Sequence, residues 1–287
     1  MGRVNVVKIT KILNNNVVIS KINGEERIVM GVGIAFGKKN GNALEKDKID
    51  KVFRMTSAEQ ERMLVLIKEL DDDVLLISRE IIVEANKLYK EPLSESIYIA
   101  LTDHINYAIK RHKEGTIINN PLLYEIQRLY PQEFNIGLFG IEKVAEHFEL
   151  ELPKDEAGFI AMHIVNANMN ESISNVYEIT KITQSIVNLV RYHFNLDVSE
   201  EELSYARFIT HLKFFSQRLI NFESLEEVMD VSLLSTLQKK YSESNRCVDK
   251  IGDFLQRNYN HELSNDERVY LILHIARLIK SNVSVDN

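Results

Sequence analysis

The chain has 287 residues, 45% of them hydrophobic and 27% charged, with a net charge of −7. That is the make-up of a soluble globular protein with room for two or three domains. A single cysteine, Cys247, rules out an intrachain disulfide framework, the N-terminus lacks the charged start and apolar run of a secretory signal, and no apolar stretch is long enough to span a bilayer, so a cytoplasmic protein with no membrane insertion is expected.

The charge is unevenly spread. Residues 1–55 hold eleven Lys and Arg against five Asp and Glu, a net of +6, whereas the rest of the chain nets −13. A basic head on an acidic body points to a head that meets a polyanion, although segregated surface charge alone would look the same. The head reads as strands. Val4–Leu13 is rich in β-branched residues, and Asn14, Asn15 and Asn16 interrupt it, asparagine being the residue after glycine most tolerant of positive φ. Val17–Ile22 resumes the pattern, and Asn23-Gly24 is a hairpin signal ahead of Arg27–Met30. Gly31, Gly33 and Gly37 then frame Ile34, Ala35 and Phe36. So short a domain buries little core, and it is expected to dimerise so that two small sheets pack together.

Near residue 56 the pattern changes. Ser57 with Gln60 is a candidate capping box ahead of Met63–Leu70. Helical spacing follows at Ile77, Ile81, Ala85 and Leu88, then at Ile97, Leu101, Ile105 and Ala108. The four prolines, Pro92, Pro121, Pro131 and Pro153, all suit helix boundaries. The body is therefore all-α, and it repeats itself. At an offset of 107, His104 falls on His211, Tyr98 on Tyr205, Tyr107 on Phe214 and Arg111 on Arg218. At an offset of 111, the block from Glu156 to Ile164 falls on the block from Glu267 to Ile275, bringing His163 onto His274. The expected organisation is multidomain: a small antiparallel β domain over 1–55, a linker or helix over 56–69, and two homologous helical-bundle domains over 70–170 and 175–280, with the polar stretch Asn168–Asn175 between the last two.

Each helical copy carries two histidines, 59 residues apart in the first and 63 in the second. Taken singly, each reads as a partly buried core residue. Packing alone rarely demands the same polar residue at matched places in both copies. Asp103 beside His104 is replaced by Thr210 in the second copy, and neighbours on a helix point about 100° apart, which argues against a catalytic pair. No spacing of the metalloprotease type supports a metal site. Neutral imidazole is a good nucleophile near pH 7, so phosphoryl acceptance remains. The chain has no phosphate-cradling loop and no kinase signature, so phosphate would come from another protein and no cofactor is expected.

These residues resemble the BglG- and SacY-type transcriptional antiterminators. In the head the resemblance lies in Ile12-Leu13-Asn14-Asn15-Asn16-Val17-Val18, Val29-Met30-Gly31 and Gly33-Ile34-Ala35-Phe36-Gly37-Lys38-Lys39. In the body it lies in Leu101-Thr102-Asp103-His104-Ile105, Ala161-Met162-His163-Ile164, Arg207-Phe208-Ile209-Thr210-His211-Leu212 and Leu273-His274-Ile275. The resemblance implies an RNA-binding head that dimerises on a leader mRNA hairpin and keeps an overlapping terminator from forming. It implies RNA contacts at Lys11, Asn14, Asn16, Gly31 and Phe36, with Lys38 and Lys39 on phosphates. Those residue types suit RNA, because asparagine both donates and accepts, phenylalanine stacks on an unpaired base, and lysine tracks phosphate. Phe36 as a core residue is the competing reading. The body would be a pair of PTS-regulation domains, phosphorylated on His104, His163, His211 and His274 by HPr and a sugar-specific PTS permease. The permease would inactivate through the first copy and HPr activate through the second. Two departures are Val32, where relatives often carry a basic residue, and the extra residues Met1–Asn5.

Three other readings compete. One is an RNA-binding regulator controlled by ligand or oligomerisation, its histidines purely structural. Another is a metal-dependent phosphohydrolase built on His104, His163 and Asp103. The third is DNA binding by the head, disfavoured because a β platform with an aromatic suits unpaired RNA bases better than a DNA groove.

Overall fold

The structure is a computed structural model that describes residues 7–53, Glu61, Val65, Ile67, 70–195, 203–222 and 231–283. Met1–Asn5, the Ser57–Gln60 capping box and most of Met63–Leu70 lie outside the described residues.

The head is a four-stranded antiparallel sheet, β1 (Ile9–Ile12), β2 (Val17–Ile22), β3 (Glu25–Met30) and β4 (Lys51–Val52), in that spatial order. Asn23 and Gly24, with φ of 53° and 90°, form the two-residue turn between β2 and β3, and Ile22 stands opposite Glu25. Both turn residues need positive φ, which is why Asn-Gly marks this hairpin. Asn14–Asn16 work differently from the expectation: positive φ occurs at none of the three. They act through hydrogen bonds. Asn14 Oδ1 accepts from the Asn16 amide at 2.9 Å, and Asn16 Oδ1 from the Gly33 amide at 2.8 Å. The short β4 escaped the sequence reading because two residues show no period.

Period-2 alternation gives the sheet two apolar faces. Ile9, Val18 and Val29 pack under Ile34, Ala35 and Leu44 of the glycine-rich loop. Val17, Ile28, Met30 and Phe53 pack instead on Ile67, Leu75 and the partly buried Leu70, Tyr98 and Ile99 of the helical part. The rings of Phe53 and Tyr98 meet edge to face at 5.0 Å. Polar ties surround this seam: Asp50 with Arg79 at 2.6 Å, Lys51 with Glu95 at 3.0 Å, and Asn15 Nδ2 donating to Asp72 at 3.1 Å. The β domain and the first helical copy thus share one compact unit, residues 1–173.

Ten helices follow among the described residues. The first copy holds α1 (Asp72–Asn86), α2 (Ile97–Lys113), α3 (Leu123–Leu129), α4 (Pro131–Phe148) and α5 (Lys154–Met169). Residues 174–287 form a second unit, to which α6 (Ile173–Phe194), α7 (Leu203–Ile220), α8 (Val231–Lys240), α9 (Ser242–Tyr259) and α10 (Asn265–Val283) belong. Asp71 caps α1, Pro131 opens α4, and Pro153 stands at the N-cap of α5. Ile77, Ile81 and Ala85 are fully buried with Leu101 and Ile105, as their spacing predicts. Leu88 lies beyond the end of α1 and is partly exposed, because the helix stops before the spacing does. Among the described residues no helix is long and apolar enough to cross a membrane.

Helices α4 and α5 approach closely at Gly137. A Cβ there would lie 2.1 Å from the Ala157 carbonyl oxygen on the facing helix. Gly137→Ala should therefore cost about 1–3 kcal/mol, since backbone cannot yield as a flexible side chain can. Chemical denaturation of the variant checks this, and an unchanged midpoint would contradict the packing described.

Candidate functional site

Each helical copy brings its two histidines face to face. In the first, His104 on α2 and His163 on α5 have ring centroids 4.9 Å apart, tilted by 42°. In the second, His211 on α7 and His274 on α10 are 4.1 Å apart, tilted by 38°. All four are half-buried. The pairing follows from the helix period. Leu101 and Ile105 flank His104 on α2 and are buried, as are Phe208 and Leu212 around His211. The apolar stripe that docks each helix carries its histidine in at the edge.

An aromatic completes each site. Phe159 lies 5.7 Å from His104. Its counterpart Tyr270 lies 5.6 Å from His211 and 4.6 Å from His274, and burial pushes its hydroxyl up to about 12. Sequence reasoning passed over two further groups, a carboxylate and an arginine. In the first copy Glu156, buried, places Oε2 3.2 Å from His104 Nε2, off the line of a hydrogen bond, and pairs through Oε1 with the buried Arg111. Both residues stood inside the aligned repeat, with Glu267 and Arg218 as counterparts, so the repeat itself held the signal.

Burial, and after it the neighbouring His104, holds His163 down to about 3. His274 is held down to about 4 by burial, then by His211 and Arg277. Near pH 7 both rings are neutral, and a neutral imidazole keeps a lone pair for nucleophilic attack. Burial also pushes the lone Cys247 thiol up to about 12, which leaves it a poor nucleophile. Among the described residues no three His, Cys, Asp or Glu side chains converge as a metal would need. One turn beyond the histidines, Tyr107 and Phe214 are 58% and 57% exposed at the same place in both copies.

In the head, Phe36 is 77% exposed at the tip of the glycine-rich loop, so it is not a core residue. Lys11 and Lys39 are exposed as well. Lys38 turns inward, 2.7 Å from Glu45 and 3.2 Å from the Ala43 carbonyl oxygen. Gly31 is buried, and a Cβ there would fall 1.7 Å from the Lys48 carbonyl oxygen, so packing alone demands glycine. Asn14, Asn16 and Phe36 belong to one loop system, since the Gly31 amide donates to Asn16 O and the Ala35 amide to Asn15 O. Val32 is exposed beside them.

Comparison with known proteins places these features in context. The family described as the CAT RNA binding domain matches residues 7–62, and the PRD domain matches twice, at 79–167 and 184–278. The transcription antiterminator LicT of Bacillus subtilis (strain 168) is 44% identical over 277 residues, covering 96% of this chain and 99% of that one. The beta-glucoside operon antiterminator of Dickeya chrysanthemi is 39% identical, covering 95% and 96%. Among solved structures, the CAT-PRDI part of GlcT matches with a TM-score of 0.53 at 37% identity, covering 57% of this chain and 98% of that one.

The buried histidines make a pH prediction. Their folded values lie below the ordinary 6.5, so as pH falls the unfolded chain takes up protons first. Stability should therefore decline as pH drops from about 6.5 to 5, a window above the carboxylate range. Replacing His163 and His274 by glutamine should flatten that decline in denaturant titrations. An equally steep decline in the double variant would mean that other groups carry it.

Proposed function

The chain belongs to the family of RNA-binding transcription antiterminators built from a CAT domain and two PRD domains, which are not enzymes, and we propose that it works in the cytoplasm as a sugar-responsive antiterminator switched by histidine phosphorylation. The head grips a hairpin in a nascent leader mRNA that overlaps a terminator. While it is held, the terminator cannot form. Lys11 and Lys39 meet phosphates, Asn14 and Asn16 order the loop against the RNA, and Phe36 stacks on an unpaired base. The inward turn of Lys38 gives it a lesser part, and Gly31 acts by letting the loop close.

The observation that carries the regulatory half is the facing pair of histidines, one ring of each pair held neutral by burial, present in both helical domains behind an RNA-binding head. The donors are HPr and a sugar-specific PTS permease, the latter acting on the first copy to inactivate and HPr on the second to activate. The exposed Tyr107 and Phe214 offer each donor an aromatic foothold beside the acceptor. A phosphorylated ring gains close to two negative charges where an uncharged one lay half-buried, which changes what that surface can pack against. The working form is a homodimer, supported by the small size of the head. One sheet face is covered by α1 and α2 of the same chain, so pairing two sheets through that face requires this cover to lift.

Two measurements test the proposal. Phe36→Ala should weaken binding of the chain's own leader hairpin by about tenfold or more, the scale of one lost base stack. Its melting temperature should hold, because the ring is exposed. In a terminator-readthrough reporter, His211→Ala with His274→Ala should abolish the response to HPr. Full HPr-dependent readthrough in that double variant would refute the activating role of the second copy.

A further inference from the structure

The two copies match at histidine, aromatic and arginine, and part at one carboxylate. Glu156 bridges the first site, one oxygen 3.2 Å from His104 Nε2 and the other paired with Arg111. Two oxygens spanning an imidazole nitrogen and a guanidinium mark the place that a phosphoryl group on His104 Nε2 would fill. Glu267, the counterpart, is turned elsewhere. Its Oε2 accepts from the Ser264 amide at 2.9 Å and lies 3.0 Å from His261 Nε2, while Ser264 Oγ accepts from the Glu267 amide at 3.2 Å. This is a reciprocal capping box at the start of α10.

The sequence dictates the difference. At the place of Ser264 the first copy has Pro153, and at the place of His261 it has Leu150. Proline has no amide hydrogen to give and leucine no polar atom, so nothing draws Glu156 away from Arg111. In the second copy Arg218 makes no ion pair with a described residue, and its Nε is buried without a hydrogen-bond partner. Its charge reaches Tyr270, whose ring packs on both histidines. Arg218 is therefore a half-buried cation beside the pair with its carboxylate withdrawn.

We infer that this carboxylate decides which copy takes phosphate readily: Glu156 occupies the phosphoryl position of the first copy, whereas Ser264 and His261 hold Glu267 clear and leave Arg218 open to the phosphoryl oxygens of the second. The inference rests on the proposal that these histidines accept phosphate. In the transfer, the imidazole lone pair forms a new N–P bond as the donor's N–P bond breaks. The electron pair returns to the donor nitrogen, which leaves as a neutral amine or imidazole once protonated. At His104 the incoming dianion meets a buried carboxylate within a few ångströms, and Glu156 must leave Arg111 first. Glu156 and Glu267 are positioning residues, acting through the arginines.

The test treats the full chain with phosphoramidate, an N–P donor that needs no protein partner, and reads phosphate on each histidine by mass spectrometry over time. The ratio of second-copy to first-copy labelling is measured within one molecule, so a general loss of fold does not imitate the effect. The wild type should favour the second copy. Glu156→Gln should raise first-copy labelling about fivefold or more with the second copy unchanged, as expected for removing a close like charge. Pro153→Ser, which keeps the carboxylate but gives it an amide to hold, should move the ratio the same way. Ser264→Pro should slow the second copy. An unchanged ratio in Glu156→Gln and Pro153→Ser, both folded by circular dichroism, would overturn the inference while leaving phosphate acceptance intact. No phosphate on any of the four histidines would overturn both.

Discussion

Two imidazoles share each helical domain's site, and charging one works against its neighbour. That repulsion, added to burial, keeps His163 and His274 neutral across the physiological range. The rest of the site follows from it. Held neutral, His163 and His274 can sit at the edge of an apolar core without a dedicated counter-ion, so α5 can dock through Ile160 and Ile164, and α10 through Leu271 and Ile275, and each still presents a nucleophilic nitrogen. A phosphoryl group would bring close to two negative charges to a ring that carries none, and the site would have to rearrange to hold them. Arginine is the residue in each copy able to receive them.

The head obeys a different constraint. A sheet of four short strands cannot bury both its faces, and the chain solves this with a glycine-rich loop over one face and the first helical copy over the other. The loop that covers the first face is also the loop that displays Phe36. Core packing and the display of an exposed aromatic ring therefore share one segment. Gly31 belongs to the packing side, Phe36 to the display side, and Asn16 to both, since its backbone and side chain each hold a part of the loop. The other face, covered by α1 and α2, packs the head directly on the domain that carries His104 and His163.

Much of this was legible beforehand because it depended on local chemistry or on repetition. Asn23-Gly24 needs positive φ, and a two-residue turn resulted. Four histidines matched between copies, and each pair came together although 59 or 63 residues separate its members. What escaped depended on contacts that sequence spacing does not encode. Glu156 and Arg111 lie on different helices and meet only when α2 packs on α5. Lys38 looked like a free cation until Glu45 folded beside it. Gly31 fitted a ligand-facing glycine as well as one crowded by the Lys48 carbonyl. The Ser264–Glu267 capping box was readable from its spacing, but its meaning came only from the contrast with Pro153, which stands at the same place in the first copy.

The proposed role of the facing histidines is that of phosphoacceptors of the sugar phosphotransferase system. Its most direct test is to incubate the full chain with phosphoenolpyruvate, the general phosphotransferase enzymes and HPr, and to map acid-labile phosphate by mass spectrometry. Phosphohistidine is expected at His211 or His274. An unmodified chain, with HPr shown to be phosphorylated in the same tube, would contradict it and leave the histidines as core residues of a protein that binds RNA under some other control.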